Sequence, residues 1–245
     1  MKAVIIAAGC GSRLKEYHQG IPKSLLVING IRIIDDIISK IIKTGISEIV
    51  VITGYKQNLL QDYLKVYNTA KIAIDFVYNS RWEEANGISV LCAKEVIQPD
   101  DEFLILMSDH IFQRRILKDI VTFKLQSDEA LLAVDRKIES IPDLEDGMKL
   151  QCGKFENNLC KITEFGKHLT EYDAIDTGIF RMRYLFFNYL EQSISDGKAS
   201  LSDACNLMCK SGKMLGMDIQ ENNWLDIDTP EMLEHKELLR KIIGQ

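Results

Sequence analysis

The stretch KAVIIAAGCGSRL, residues 2–14, decides the fold. Its first part, KAVIIAA, is a continuous apolar run that ends before Gly9, which is typical of a strand buried on both faces of a parallel sheet. The glycine loop that follows carries Arg13, and Lys23 stands further on in PKSLL. The N–H groups of such a loop and two fixed positive charges favour an anionic ligand such as a triphosphate. A surface loop with solvated basic side chains is the alternative interpretation.

Two familiar phosphate-binding patterns do not match this loop. The dinucleotide fingerprint G-x-G-x-x-G requires a third glycine where Leu14 stands. A P-loop requires Gly-Lys followed by Ser or Thr, whereas Lys23 follows Pro22. The sequence therefore disfavours a nicotinamide oxidoreductase and leaves a different kind of triphosphate loop.

Strand and helix patterns alternate through the first half of the chain. SLLVI predicts a strand that ends at a turn over Asn29 and Gly30. SEIVVITG, KIAIDFVY and EFLILM predict buried strands, whereas IRIIDDIISKII has isoleucines at helical spacing and residues 56–66 predict another helix. GISVLCAKEVI and residues 113–124 predict two more helices. This alternation predicts an α/β protein with a Rossmann-like, mostly parallel sheet that carries helices on both faces.

The second half is less regular. MKLQCGKFENNLCKITEF has Asn157 and Asn158 between two short apolar runs, which predicts a small antiparallel hairpin added to the sheet. AIDTGIFRM and KMLGMDI predict strands, and residues 184–194 and 201–211 predict helices. TPEMLEHKELLRKII predicts one terminal helix with Thr229 as its N-cap.

Composition limits the classes of function. The 245 residues are 46% hydrophobic and 27% charged, and we expect a single domain over residues 1–245. The net charge of -6 disfavours nucleic acid and anionic membranes as partners. No apolar run reaches the roughly 20 residues that span a bilayer, so we expect no membrane insertion and a cytoplasmic location. Six scattered cysteines then indicate reduced thiols rather than disulfides or a zinc site.

Aspartates, whose carboxylate oxygens can bind a divalent cation, occur beside predicted strands in two places. Asp109 in LILMSDHIF follows a predicted buried strand, and Asp226 and Asp228 in WLDIDTPE lie between a strand and the terminal helix. Aspartate is also common in turns and at helix N-caps, which is the alternative role for each motif.

The motifs together resemble a known family. AAGCGSRL with PKSLL resembles the signature of nucleotidyltransferases that activate sugar phosphates with a nucleoside triphosphate. EEANGISVLCAKE, LMSDHIF, VDRK, ITEFGKHLTEYDAIDTGIF and WLDIDTPE, in this order over nearly the whole chain, resemble the CTP:inositol-1-phosphate cytidylyltransferases. The resemblance implies a nucleotide-diphospho-sugar transferase fold, Mg²⁺ as cofactor, and transfer of CMP from CTP to inositol 1-phosphate, which gives CDP-inositol and pyrophosphate. Some members carry a further membrane-embedded domain, and we expect that downstream step to belong to a separate protein or to a different pathway here.

The resemblance also implies a site. Arg13 and Lys23 would neutralise the nucleotide phosphates, and Lys167 would bind the acceptor phosphate. The expected nucleotide-binding residues are Ala8, Gly9, Gly11, Ser12, Asn86, Gly87 and Ser89. The expected metal ligands are Asp109 and Asp228, with Asp226 as the competitor of Asp228. The expected acceptor-binding residues are Asp135, Arg136, Glu164, Asp176, Thr177 and Gly178.

Several alternatives stay open at this point. Asn86 also fits a helix N-cap. A phosphate monoester is ionised at neutral pH and needs no general base, so we interpret His110 as a positioning residue. The acceptor could be phosphocholine or another small phosphorylated molecule, the enzyme could be a sugar-1-phosphate uridylyl- or guanylyltransferase, and the chain could be a non-catalytic nucleotide-binding regulatory module. The oligomeric state is open, with a homodimer as one alternative.

Overall fold

The computed structural model describes residues 1–14, 17 and 20–243. The strands are β1 (Lys2–Ala7), β2 (Val27–Ile28), β3 (Ile31–Arg32), β4 (Glu48–Thr53), β5 (Ala73–Tyr78), β6 (Glu102–Met107), β7 (His110–Phe112), β8 (Ala130–Asp135), β9 (Lys149–Cys152), β10 (Leu159–Phe165), β11 (Ala174–Arg183), β12 (Met214–Asp218) and β13 (Trp224–Asp226). The α-helices are α1 (Ile33–Ile42), α2 (Gln57–Leu64), α3 (Asn86–Cys92), α4 (Arg114–Thr122), α5 (Phe186–Ser195), α6 (Leu201–Lys210) and α7 (Lys236–Ile242). Short 3-10 helices include Ser12–Leu14, Lys23–Leu25 and Pro230–Glu234.

A central sheet contains nine of the described strands, in the order β5-β4-β1-β6-β11-β8-β12-β10-β9. β5, β4, β1 and β6 are parallel neighbours, and β8 pairs in parallel with β12. β11 lies antiparallel between β6 and β8, and β10 lies antiparallel between β12 and β9. Seven of the nine strands therefore run in one direction, which confirms the α/β class with a mostly parallel sheet.

Helices cover both faces of this sheet. Along β1, Ala3 and Ile5 point into one apolar core, which also contains side chains of α1, α2, α4 and α7. Val4 and Ile6 point into the opposite core, which contains side chains of α3, α5 and α6. Both faces of β1 are buried, which explains why its sequence is continuously apolar rather than alternating. Among the described residues, no helix is long and apolar enough to cross a bilayer.

The turns that the sequence predicts are present. Asn157 and Asn158 have φ of 49° and 67°, the conformation that a tight turn between antiparallel strands requires, and they connect β9 to β10. Asn29 and Gly30, with φ of 50° and 84°, connect β2 to β3. The prediction of one strand over SLLVI is wrong in its first part, because residues 23–25 form a 3-10 helix.

The terminal helix is interrupted. His235 has ψ of 52°, outside the helical region, so a 3-10 helix over Pro230–Glu234 is separated from α7. Thr229 is the N-cap of this 3-10 helix, as predicted, but its side chain accepts no hydrogen bond from the first turn. It hydrogen-bonds to Glu231 instead, which lowers the pKa of that carboxyl.

One edge of the sheet collects the predicted site. The carboxyl ends of β1, β6 and β8 lie at this edge, which is where open α/β sheets bind ligands. β11 runs in the opposite direction, so its first residues, including Asp176, lie at the same edge. Gly178 has φ of 75°, and a Cβ there would lie 2.6 Å from the His110 ring. A glycine is therefore needed for β11 to pass His110 so closely.

Candidate active site

The two motifs that carry the predicted metal ligands meet through a short two-stranded sheet. β7 and β13 pair antiparallel, with His110 opposite Asp226. The pairing continues where the N–H of Ile227 donates to the carbonyl of Asp109 at 3.0 Å. LMSDHIF and WLDIDTPE are more than 100 residues apart in sequence and lie side by side in the fold. This arrangement brings Asp109, Asp226 and Asp228 together.

Lys23 lies at the centre of these three carboxylates. Its side chain is only 7% exposed, and Nζ donates to Asp109 Oδ2 at 3.0 Å and to Asp228 Oδ1. Asp226 Oδ1 lies 3.9 Å from the same nitrogen. Burial alone would lower the pKa of Lys23, but the three carboxylates raise it above its ordinary value. The lysine therefore stays a cation and neutralises part of the negative charge around it.

His110 is held between acids and an aromatic ring. Its Nδ1 lies 2.9 Å from Asp109 Oδ1 and 3.6 Å from Asp226 Oδ1, and the imidazole stacks on Trp224 with ring centres 5.6 Å apart. Burial opposes the charged form, but the Asp226, Asp109 and Asp176 carboxylates raise the pKa of His110 to about 9. This pKa favours the imidazolium, which cannot act as a general base, and the interpretation of His110 as a positioning residue stays a prediction.

The pKa values of Asp109 and Asp226 shift in opposite directions. Burial raises the pKa of Asp109, but Lys23 and His110 outweigh it and hold this pKa well below its usual range. Burial, with Asp109 and Asp228 nearby, raises the pKa of Asp226 to about 7. Asp226 Oδ1 is buried and has no hydrogen-bond partner among the described residues. An unpartnered buried carboxylate oxygen is costly unless a cation binds it.

This arrangement fits a divalent cation. Asp109 and Asp226 each offer a carboxylate oxygen, and these two atoms and a ring nitrogen of His110 lie within 4.8 Å of one another. Magnesium binds carboxylate oxygens, and Asp109 and Asp226 supply them. Both oxygens of Asp228 accept hydrogen bonds from cations, Oδ1 from Lys23 and Oδ2 from Arg13. The residues present are therefore suited to hold Mg²⁺ beside Lys23.

Asp146, which was not predicted from the sequence, connects Arg13 and Lys167. Asp146 lies in the loop between β8 and β9, and its carboxylate accepts hydrogen bonds from Arg13 and from Lys167. The surrounding sequence, IPDLEDGM, contains three acids and no strand end or known motif, so no signal in the single sequence distinguishes Asp146 from Asp143 or Glu145.

Two cavities meet at this cluster. The first, of about 520 Å³, is lined by the glycine loop with Asn86, Ser89 and Trp82. The second, of about 430 Å³, is lined by His110, Asp176 and residues of the loop that carries Asp146. Arg13, Asp109 and Asp228 line both. The site therefore offers two adjoining chambers with a charged boundary between them.

The predicted nucleotide-binding residues are mostly in the first cavity. Gly9, Gly11, Ser12, Asn86 and Ser89 line it. The other two, Ala8 and Gly87, are not among its lining residues. The Ala8 carbonyl accepts from the N–H of Tyr55 at 2.9 Å, and a Cβ at Gly87 would lie 2.4 Å from the Ala199 carbonyl oxygen.

The N-cap interpretation of Asn86 is wrong. Ala85 is the N-cap of α3, and the Asn86 side chain accepts from the N–H of Leu201 at 2.9 Å. This bond ties the start of α3 to the start of α6 and fixes Asn86 at the rim of both cavities.

The predicted acceptor residues divide into two groups. Asp135, Asp176, Gly178 and Lys167 line the second cavity. The described residues that line it do not include Arg136, Glu164 and Thr177. The side chain of each of these three has another partner. Arg136 lies 3.7 Å from Asp218 and over the Phe155 ring, Glu164 lies 3.4 Å from His168, and buried Thr177 donates to the Ala133 carbonyl at 2.8 Å.

The two acids in this cavity have different environments. Asp135 is buried, and its two oxygens accept from Trp224 Nε1 at 3.0 Å and from Lys137 Nζ at 2.7 Å. Asp176 accepts from the N–H of Gly178 at 2.7 Å, and burial raises the pKa of its carboxyl to about 6. Asp135 thus supports the cavity wall, whereas Asp176 is placed to accept hydrogen bonds from a ligand.

Comparisons with known proteins agree with this geometry. A family model described as nucleotidyl transferase matches residues 2–239. A protein of Aquifex aeolicus named bifunctional IPC transferase and DIPP synthase is 29% identical over 234 residues, which are 95% of this chain and 50% of the relative. The CTP:phosphoglutamine cytidylyltransferase of Campylobacter jejuni is 30% identical over 202 residues, which are 77% of this chain and 75% of the relative. The chain spans about half the length of the bifunctional relative.

Solved structures share the fold. The inositol-1-phosphate CTP transferase from T. maritima has a TM-score of 0.81 at 22% identity and covers 98% of this chain and 95% of its own. A UDP-glucose pyrophosphorylase complexed with UDP-glucose has a TM-score of 0.82 at 16% identity, with 98% and 97% covered. The fold predicted from the motifs is confirmed. Because the family match extends over residues 2–239, this chain belongs to the nucleotidyl transferase family.

Proposed function

We propose that this protein transfers CMP from CTP to inositol 1-phosphate and releases pyrophosphate. The observation that carries this proposal is the pair of adjoining cavities whose shared boundary contains Arg13, Asp109 and Asp228. A glycine loop with basic side chains suits a triphosphate, and the second chamber suits a small phosphorylated acceptor. The likeness to relatives named for IPC transfer and for CTP supports the choice of substrates. Since the described cavities are lined from one sheet, we infer that they belong to one catalytic domain.

The reaction needs little covalent chemistry from the protein. An oxygen of the acceptor phosphate attacks the α-phosphorus of CTP while the bond to the bridging oxygen of the β-phosphate breaks, and pyrophosphate leaves with that electron pair. The attacking oxygen is already ionised, so no proton must be removed. The task of the protein is to hold two anions together and to neutralise the charge that spreads over the transferring group.

The cations are placed for this task. Lys23, buried on the nucleotide side, and Arg13, on the shared boundary, would bind the phosphates of CTP. Lys167 lines the second cavity and would bind the acceptor phosphate. In such a site, fixed charges stabilise developing negative charge without having to reorganise.

We infer that Mg²⁺ is the cofactor and that Asp109 and one carboxylate of residues 224–228 hold it. The buried, unpartnered Oδ1 supports Asp226, because both oxygens of Asp228 accept from cations. When bound, the ion would supply positive charge to the phosphate oxygens. The choice of Asp228 from sequence stays a prediction, and its test is the loss of Mg²⁺ affinity in Asp226→Asn against Asp228→Asn.

The second cavity is suited to a polyol. Asp176 can accept hydrogen bonds from ligand hydroxyls, and the His110 imidazolium, which also lines this cavity, can donate them. The relative that acts on phosphoglutamine supports a second candidate, a cytidylyltransferase for another small phosphorylated acceptor. The cytoplasmic location stays a prediction, and a homodimer stays one alternative for the oligomeric state.

The test is pyrophosphate release with each of four nucleoside triphosphates against a panel of acceptors. The panel contains inositol 1-phosphate, phosphocholine and glucose 1-phosphate. We expect the highest kcat/KM for CTP with inositol 1-phosphate in the presence of Mg²⁺. A higher value for another pair would overturn the substrate assignment, and nucleotide binding without turnover on any acceptor would favour the regulatory module.

A further inference from the structure

Asp146 lies between two cations that come from distant parts of the chain. Arg13 belongs to the loop after β1, and Lys167 follows β10, near the other edge of the sheet. Asp146 Oδ2 accepts from Arg13, and Asp146 Oδ1 accepts from Lys167. All three line the second cavity. One carboxylate therefore links the nucleotide side of the site to the acceptor side.

The carboxylate is held in its charged form. Burial works to raise the pKa of Asp146, but the hydrogen bonds from Lys167 and Arg13 lower it below its usual range. Asp143 lies on the same loop and lines the same cavity, yet it has no ion pair among the described residues. The bridge thus belongs to Asp146 in particular and not to the acidity of the loop as a whole.

A carboxylate in this position has the hydrogen-bonding character of a phosphate edge, since both present two anionic oxygens to Arg and Lys. We propose that Asp146 is an internal stand-in for substrate phosphate, which holds Arg13 and Lys167 in the free protein and is displaced from each by a phosphate group of a substrate. This inference rests on the proposed function, which assigns Arg13 to the nucleotide and Lys167 to the acceptor.

The bridge has a consequence for the two substrates. A nucleotide that takes Arg13 breaks one of the two ion pairs of Asp146, so the carboxylate is then held beside Lys167 by one ion pair instead of two. The acceptor then has a weaker competitor for Lys167, so each substrate favours the binding of the other. This coupling is reciprocal, because it is a free energy shared between the two sites.

The ion pairs are partly exposed, which limits the size of the effect. Side-chain exposure is 49% for Arg13, 52% for Lys167 and 35% for Asp146. Arg13 also keeps its bond to Asp228 when Asp146 is changed. We therefore expect a gain of about three- to tenfold in affinity when the competing charge is removed.

The test compares Asp146→Asn with the wild type and with Asp143→Asn as the matched control. Calorimetry at fixed Mg²⁺ measures Kd for inorganic pyrophosphate, for the α,β-methylene analogue of CTP and for inositol 1-phosphate. We expect Asp146→Asn to bind pyrophosphate and the analogue about three- to tenfold more tightly, with Asp143→Asn within twofold of the wild type. The analogue should also improve inositol 1-phosphate binding more in the wild type than in Asp146→Asn.

Unchanged or weaker binding in Asp146→Asn, or equal tightening in Asp143→Asn, would overturn the inference. Asp146→Ser replaces Asp146→Asn if the latter does not melt cooperatively. Turnover of CTP and inositol 1-phosphate by the wild type separates this outcome from failure of the proposed function. Pyrophosphate binding tests the stand-in role whichever acceptor the enzyme uses.

Discussion

Replacing Lys23 by methionine removes the buried cation on which the site depends. Methionine keeps most of the apolar volume and loses the charge that lies 3.0 Å from Asp109, 3.9 Å from Asp226 and in contact with Asp228. Three carboxylates then face one another without their shared partner. Both the rate of CMP transfer and the free energy of unfolding are expected to fall, each for its own reason.

The expected loss of kcat follows from the role of Lys23 as a fixed hydrogen-bond donor to the negative charge that develops in the transition state. Loss of one such donor costs about 10²–10³ in kcat, or about 2.7–4 kcal/mol of transition-state stabilisation. The expected loss of unfolding free energy follows from the burial of Lys23. The Lys23 side chain is 7% exposed, and removing one partner of a buried ion pair costs about 3–5 kcal/mol. Because the three acids are 18–31% exposed, the lower part of that range is expected.

The loss of stability should depend on pH. Lys23 holds the pKa of Asp109 below its usual range, so its contribution is present above the unfolded-state pKa and is lost as the pH falls through the folded-state pKa. Without Lys23 the clustered carboxyls have raised pKa values in the folded state, and stability then falls as the pH rises through those values. In buffer with a chelator, the variant should therefore be closer to the wild type at pH 5 than at pH 8.

The assays are pyrophosphate release for kcat and urea unfolding followed by circular dichroism. Lys213→Met is the control, because Lys213 pairs with Asp128 at an exposed position and its loss should leave the stability close to that of the wild type. A Lys23→Met variant with kcat within threefold of the wild type would refute the reasoning. So would a loss of stability that is larger at pH 5 than at pH 8.

Three further outcomes are expected. Asp226→Asn should weaken Mn²⁺ binding, measured by electron paramagnetic resonance, by about tenfold or more, since outer partners of metal ligands alone contribute 10- to 100-fold; unchanged binding would remove Asp226 from the site. Gly178→Ala should lower the unfolding free energy in urea by about 1–3 kcal/mol, because φ is 75° and the new Cβ would lie 2.6 Å from His110; an unchanged midpoint would contradict this. Asp36→Asn should lower the unfolding free energy by about 3–5 kcal/mol in the same assay, because it removes the carboxylate that pairs with the fully buried Lys40. The double variant Asp36→Leu with Lys40→Met removes both charges and should recover most of that loss.

The sequence predicted those features that follow from strand ends. Arg13, Asp109 and Asp135 each stand at or just after a strand that runs in the common direction, so their proximity follows once the sheet is known to be mostly parallel. Lys23 and Asp228 needed the motif, because neither directly follows a strand of the central sheet.

Side-chain direction explains why some of the predicted acceptor residues do not line the second cavity. Successive side chains of a strand point to opposite faces, so Thr177 points away from the cavity that Asp176 lines. Arg136 follows the end of β8, and its guanidinium lies 3.7 Å from Asp218. A motif identifies such neighbouring residues together, and only the folded structure separates those that line the cavity from those that do not.

Asp146 could not be predicted for a different reason. Its place depends on the path of the loop between β8 and β9, and no periodicity or turn signal determines that path. Its importance comes from two cations that are 133 and 21 residues away in sequence. Long-range electrostatic contacts of this kind are visible only once the chain is folded.

Phosphorus NMR of CTP with inositol 1-phosphate, Mg²⁺ and the purified protein tests the central claim most directly. The account predicts that both substrates disappear while the two resonances of a cytidine diphosphate diester and the resonance of pyrophosphate appear in equal molar amounts. Unchanged CTP and inositol 1-phosphate, with product formed from another nucleotide or another acceptor under the same conditions, would contradict it.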